Sequence, residues 1–323
     1  MRPGIAQILS LALGALLPAP AAYAQADYPR QPIKMIVGLA PGAINDVQTR
    51  VIAVKLAERL GQPVVVENRT GAGGNIAAEF VARAAPDGYT LFNAPTSTLV
   101  INPAVYPKLG YHPQRDFVLI AQVSAYPLYL TVNADLPVKS VKELLAHAKA
   151  NPDKANLGSP ATFFELVTAL LTLNTGAKFV TIPFKSTPET MTGILTGQTM
   201  IAFVELNTLA PQLKAGKVRA LAVTIGQRTA DLPEVPSMAE AGFPDAVAQA
   251  FTGFVAPKGM PQAIVDKLSA EMNAILKLPD VVERWKSLGL NPVESTPAGF
   301  AKYIDDEIKR WTDVAKAANI KLE

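Results

Sequence analysis

IKMIVGLAPGAINDVQTRVIAVKLAERLGQPVVVENRTGAGGNIAAEFVARAAPDGYTLF, residues 33–92, alternates two kinds of segment. Ile33 to Val37 is an apolar run of strand length. Val47 to Leu60 carries apolar residues at helical spacing and stops at Gly61, a residue that ends helices by adopting a left-handed conformation. Pro63 to Glu67 is a second strand, Ile76 to Ala85 a second helix, and Tyr89 to Phe92 a third strand. Strands separated by helices at this interval predict an α/β fold with a parallel sheet covered on both faces.

Further along, the pattern changes. Val118 to Val123 and Leu128 to Val132 read as two strands with almost nothing between them, as where a chain passes from one domain to another. Val141 to Ala150 is a helix with Ser140 as its N-cap. A strand near Ala155 to Leu157 leads into a helix over Phe163 to Leu173. Strands follow at Phe179–Phe184, Thr199–Val204 and Val218–Thr224, with helices over Glu189–Leu195 and Leu209–Ala215. Gln249 to Ala256 reads as a returning strand, and three helices close the chain, over Pro261–Leu276, Pro279–Leu288 and Pro297–Ala318. Helices that pack back on the first unit give two lobes with a cleft between them. The expected division is a leader at 1–26, one lobe from 27–125 plus 253–323, and a second from 126–252.

Composition supports a folded, exported protein. The 323 residues are 49% hydrophobic and 18% charged, enough apolar surface for two cores. A net charge of +3, with Lys and Arg scattered, gives no electrostatic footprint for nucleic acid. Arg2, an apolar stretch from Ile5 to Leu17 and the small-residue pattern Ala22-Tyr23-Ala24 describe a cleavable secretory signal. That stretch is too short to span a bilayer, and the mature chain is expected to begin near Gln25 or Asp27. No cysteine is present, which removes disulfides, thiolate metal sites, a cysteine nucleophile and a lipid-modified anchor.

In open α/β sheets, ligands bind where strand ends lead into helix N-termini. Four segments qualify. Leu39 to Asp46, containing Pro41, Gly42, Ala43, Ile44 and Asn45, ends at a helix start whose free N–H groups suit a carboxylate. Asn68 to Asn75 is glycine-rich around Gly73. It lacks the third glycine and the position of a dinucleotide fingerprint, so it is read as a place of close backbone approach. Thr96-Ser97-Thr98 offers three hydroxyls after the third strand, and Gly158-Ser159-Pro160-Ala161-Thr162 precedes a helix in the second half. An enzyme reading finds no support. His112 and His147 stand outside any metal-binding spacing, and there is no nucleophile elbow or phosphate-binding loop. No cofactor is expected.

Several stretches resemble the tripartite tricarboxylate transporter substrate-binding family, the Bug-type receptors. They are Tyr28–Ile33, Leu56–Leu91, Ile101–Phe117, Ile182–Gln198, Leu213–Thr224 and Leu232–Pro244, motifs in fixed order within a resemblance that runs along essentially the whole mature chain. The resemblance implies a periplasmic, two-domain type II binding-protein fold of the Venus flytrap kind, with a parallel-dominated sheet in each lobe. It implies a small organic acid as ligand and a pair of membrane transporter subunits as partners, with the receptor itself a monomer. By position, Pro41, Gly42, Ala43, Asp46 and Thr96 match the loops with which the family holds a ligand carboxylate.

Three departures are visible. Ala43 stands where the second glycine of the family's P-G-G is usual. The stretch Ser159 to Glu165 is shorter than the family's and lacks its histidine. Phe203-Val204 replaces the common Phe-Asp, with Glu205 one step on. With Phe163 and Phe164 added, the distal half of the pocket is expected to favour an aromatic or otherwise apolar acid, with Thr162 and Lys185 as its residual polar groups. The ligand-binding set is therefore Pro41, Gly42, Ala43, Ile44, Asn45, Asp46, Gly73, Thr96, Ser97, Ser159, Ala161, Thr162, Phe163, Lys185, Val204 and Glu205. Three other readings stay open: a sensor whose closed form docks a membrane-bound kinase, an enzyme acting on a carboxylate, and a receptor whose altered distal pocket no longer holds a small acid tightly.

Overall fold

Apolar runs at the centre of a sheet become strands buried on both faces, as Ile201–Val204 and Ala250–Pro257 do in the computed structural model, which describes residues 28–173 and 175–320, whereas Val64–Asn68 and Val180–Pro183 at the sheet edges stay partly exposed. The expected leader, with Ala22-Tyr23-Ala24, lies outside the described residues. The chain opens with β1 (Ile33–Val37), α1 (Ile44–Leu60), β2 (Val64–Asn68), α2 (Asn75–Ala82) and β3 (Thr90–Pro95). β2 and β3 pair with β1 on either side, both parallel. Short helices α3 (Asn102–Val105) and α4 (Pro113–Asp116) lead to the long strand β4 (Phe117–Tyr126).

β5 (Tyr129–Asn133) begins the second sheet. Then come α5 (Val141–Ala150), β6 (Asn156–Ser159), α6 (Thr162–Thr172), β7 (Val180–Pro183), α7 (Thr187–Leu195), β8 (Ile201–Val204), α8 (Leu206–Lys214) and β9 (Val218–Val223). β7 and β8 flank β6 in parallel, while β5 joins β8 and β9 antiparallel. The chain then returns as β10 (Ala250–Pro257), followed by α9 (Gln262–Leu276), α10 (Pro279–Ser287), β11 (Asn291–Pro292) and α11 (Pro297–Ala317).

Both sheets are mixed. The first runs β11-β4-β10-β3-β1-β2 and the second β7-β6-β8-β5-β9. Parallel pairing comes from the βαβ units read in the sequence. Antiparallel pairing comes from the strands that carry the chain between sheets, because a strand entering from the other lobe runs opposite to its neighbours. β10 is antiparallel to both β3 and β4. Trp285 and Trp311 are fully buried, and the Trp285 indole N–H donates to the Val123 carbonyl at 3.1 Å, tying α10 to β4. The second sheet has in addition a smaller core of its own, around Tyr129, Met191, Ile194, Val204 and Leu209.

The two crossings are bonded to each other. The Leu128 N–H donates to Thr224 Oγ1 at 2.9 Å, and the Thr224 N–H returns to the Leu128 carbonyl at 2.8 Å. Thr224 is fully buried, so its hydroxyl cannot be replaced by water. Thr224→Val keeps the shape but orphans the Leu128 N–H, and it should cost about 1–3 kcal/mol in a urea-unfolding measurement.

Candidate functional site

Between the sheets lies a small, partly open chamber of about 30 Å³, room for about two waters. Four helices bring their first turns to it. Ala43, Ala161, Ser186 and Glu205, the N-cap residues of α1, α6, α7 and α8, all line its wall. The first four N–H groups of a helix have no partner inside it, and the helix dipole makes that end positive. Only Ser186 caps its helix with a side chain, accepting the Glu189 N–H; Ala43, Ala161 and Glu205 form no such cap. Among the described residues, no Lys or Arg lines the chamber. Donors aimed at an enclosed space without a cation suit a small anion.

Asp46 sets the α1 end of this arrangement without facing the chamber. Its carboxylate accepts the Gly42 N–H at 3.0 Å, the Arg50 guanidinium at 3.0 and 3.1 Å, and the Asn68 amide at 2.9 Å. Burial alone would raise its pKa, but the bonds from Arg50, Gly42 and Asn68 hold it below the ordinary aspartate value. The loop is thereby folded back, with Gly42 at φ 85°, a left-handed conformation that a side chain would strain. Pro41 and Gly42 are exposed on its outside, while Ala43, Ile44 and Asn45 turn inward. Asn45 is buried and hydrogen-bonded with Asn93 of β3 at 3.4 Å.

Of the three hydroxyls after β3, two are already engaged. Thr96 Oγ1 accepts the Phe251 N–H at 2.8 Å and donates to the Phe251 carbonyl at 3.0 Å, and Thr98 donates to Pro95. Both Thr96 and Ser97 line the chamber. From the second lobe, Phe163 and Phe164 form an apolar wall, stacked edge to face at 5.9 Å, and Phe163 meets Trp311 of α11 at 5.6 Å. Val204 does not reach the chamber; its side chain belongs to the smaller core of the second lobe, because the alternation along β8 turns it away. Glu205 does reach it.

A second, larger chamber of about 390 Å³ shares the walls Leu39, Pro160 and Ala161. Gly73, Ser159, Thr162 and Lys185 line this outer space, with Glu165 and Tyr106. The glycine loop comes close to the backbone just after β1, in its own lobe rather than across the cleft: a Cβ built on Gly38 would stand 2.9 Å from the Gly74 Cα. The Thr162 hydroxyl donates to Asn102 of α3, linking the lobes. The sequence reading missed Tyr126, Ser186 and Thr187 on the inner wall. Ser186 accepts the Glu189 N–H and Glu189 accepts the Lys185 N–H, a cap resembling a capping box whose Ser-x-x-Glu spacing could have announced it. Tyr126 carries no such signal, since only the sheet crossing brings it there.

Among the described residues, Glu205 is the only ionisable carboxyl on the inner wall. It is 4% exposed and accepts the Thr187 hydroxyl at 3.2 Å. Burial pushes its pKa up to about 7, against the opposing pull of its own backbone N–H and of Thr187. The neighbouring Tyr126 hydroxyl is raised well above its ordinary value by burial and then by the Glu205 charge. Among the described residues, no three His, Cys, Asp or Glu side chains are grouped so as to hold a metal ion.

The profile of the tripartite tricarboxylate transporter family receptor matches residues 48–320. Protein BugT of Bordetella pertussis is 37% identical over 302 residues, covering 92% of each chain. Among solved structures, Rpa4515 of R. palustris with adipate is 32% identical with a TM-score of 0.86, covering 91% of this chain and 99% of that one. MatC from Rhodopseudomonas palustris with bound malate is 32% identical with a TM-score of 0.84, covering 89% and 99%.

The buried carboxyl makes a prediction for stability. Glu205 keeps its proton in the folded chain to about pH 7, whereas the unfolded chain releases it near the ordinary glutamate value, so the unfolded state is favoured as pH rises between the two. Glu205→Gln should therefore gain on the parent by about 3 kcal/mol between about pH 4.5 and pH 8. Urea unfolding of both proteins across that range measures it; a gap that does not widen with pH would contradict the burial of an unpaired carboxyl.

Proposed function

We propose that this chain, which belongs to the tripartite tricarboxylate transporter receptor family, captures a small organic carboxylate between its lobes and delivers it to a membrane transporter of that system. The family's members are binding receptors. The observation that carries the reading is the convergence of four helix N-termini on a cation-free chamber. The ligand's carboxylate is held at the α1 end, by the N–H groups of Ile44 and Asn45 and by Ser97. Its body lies against Phe163 and Phe164 and extends past Leu39 and Ala161 into the outer chamber. Those walls favour an aromatic or apolar acid over citrate or aspartate. Adipate and malate in two relatives support the carboxylate class.

Capture needs the lobes to part, since about 30 Å³ admits no organic acid. The paired crossings at Leu128 and Thr224 are the place for that hinge. The protein works in the periplasm after removal of its leader, as a free monomer, and performs no reaction on the acid. Among the described residues, no helix is long and apolar enough to cross a membrane.

A thermal-shift screen of the chain from Asp27, against aliphatic and aromatic carboxylates, tests the reading. A benzoate-like or adipate-like acid at 100 times its Kd should stabilise the protein by about 2.7 kcal/mol. Stabilisation by citrate or aspartate alone would overturn the apolar preference, and none by any acid would overturn the carboxylate reading. Gly42→Val should weaken the bound acid at least about tenfold, because it strains the turn that aims the α1 N-terminus. A Cβ at Gly42 meets nothing within 4 Å, so the fold should survive.

A further inference from the structure

We propose that Glu205 is a proton-binding site linked to capture: a ligand carboxylate enters the inner chamber only together with a proton on Glu205. This rests on the reading of that chamber as the carboxylate site. Glu205 sits at the start of α8, with Ser186 and Thr187 at the start of α7 beside it and the α1 N-terminus on the same small space. The chamber is about 30 Å³ and holds no Lys or Arg. A ligand carboxylate and an ionised Glu205 would thus compete for the same donors at short range, out of water. Two carboxylates sharing one enclosed site cannot both ionise without a large penalty, so one takes a proton. In its neutral form, Glu205 becomes a donor and completes the set of donors around the ligand's charge.

Among the described residues, no other group near Glu205 can do this. Facing it from β4 is Tyr126, whose hydroxyl is held neutral by burial. At the start of α7, Thr187 donates to it, while Glu189 turns outward to the Lys185 N–H at 3.1 Å. On α1, Asp46 is committed to Arg50, Gly42 and Asn68. Glu165 of α6 lines the outer chamber, and Lys214 lies at the far end of α8. Behind, the Tyr129 hydroxyl of β5 meets Thr229, and Arg219 of β9 holds the carbonyls of Ala134, Leu136 and Val138. No charged side chain acts on the Glu205 carboxyl, whose raised pKa, about 7, follows from burial.

Isothermal titration with adipate, malate and benzoate, at about pH 6 and about pH 8.5, tests the coupling in the parent and in Glu205→Gln. The parent should bind an acid of this panel at the lower pH and lose about tenfold in affinity per pH unit above the Glu205 midpoint. In buffers of different ionisation enthalpy it should take up close to one proton per ligand near about pH 8; this readout needs no variant. Glu205→Gln, a permanent donor, should hold the low-pH affinity at the higher pH. Equal affinity at both pH values in the parent overturns the coupling and leaves the carboxylate reading intact. Affinity that rises with pH and vanishes in Glu205→Gln overturns it too, and assigns Glu205 to a cationic group of the ligand. No binding by either protein at either pH overturns the carboxylate reading itself, and the coupling with it.

Discussion

An anion taken out of water must find fixed donors, and helix N-termini can supply them where side-chain cations are absent. That constraint organises the cleft. Each βα unit contributes a strand end that leads directly into a helix, so each helix start is carried to the same edge of its sheet. The two sheets face one another across that edge. The N-caps of α1, α6, α7 and α8 then meet on one small chamber. The geometry holds only if the loops before the helices are rigid. Asp46 provides this for α1 by gathering Gly42, Arg50 and Asn68 on one carboxylate, and the Ser186–Glu189 cap does so for α7.

Most of the fold was legible in sequence, because its elements are strongly patterned. The strand at Ile33–Val37 and the helix ended by Gly61 fall where periodicity placed them. So does the Ser140 cap, whose side chain accepts the Glu143 N–H. Pairing direction was less legible. The βαβ rhythm announces parallel neighbours, but β5 and β10 enter from the opposite lobe and run antiparallel, and periodicity carries no sign of that.

The site was legible in parts that depend on backbone. A glycine in a loop before a helix marks a turn that can aim the following residues inward, and Ala43, Ile44 and Asn45 do line the chamber. Side-chain direction was not legible. Val204 and Glu205 are adjacent, yet one fills the second lobe's own core and the other faces the chamber. Thr96 looked like a free donor, but β10 lies beside it and takes both sides of its hydroxyl. Tyr126 became part of the wall only because the chain crosses between sheets immediately after it.

The central claim, that helix N-termini hold the ligand's charge, is open to direct measurement. Backbone amide resonances can be followed while adipate or malate is added to the protein. The account predicts the largest shifts at the N–H groups of Ile44 and Asn45, with Ser97, Thr162 and Thr187 moving next as the lobes close. Binding that leaves Ile44 and Asn45 unmoved, and shifts only residues of the outer chamber near Lys185, would contradict it.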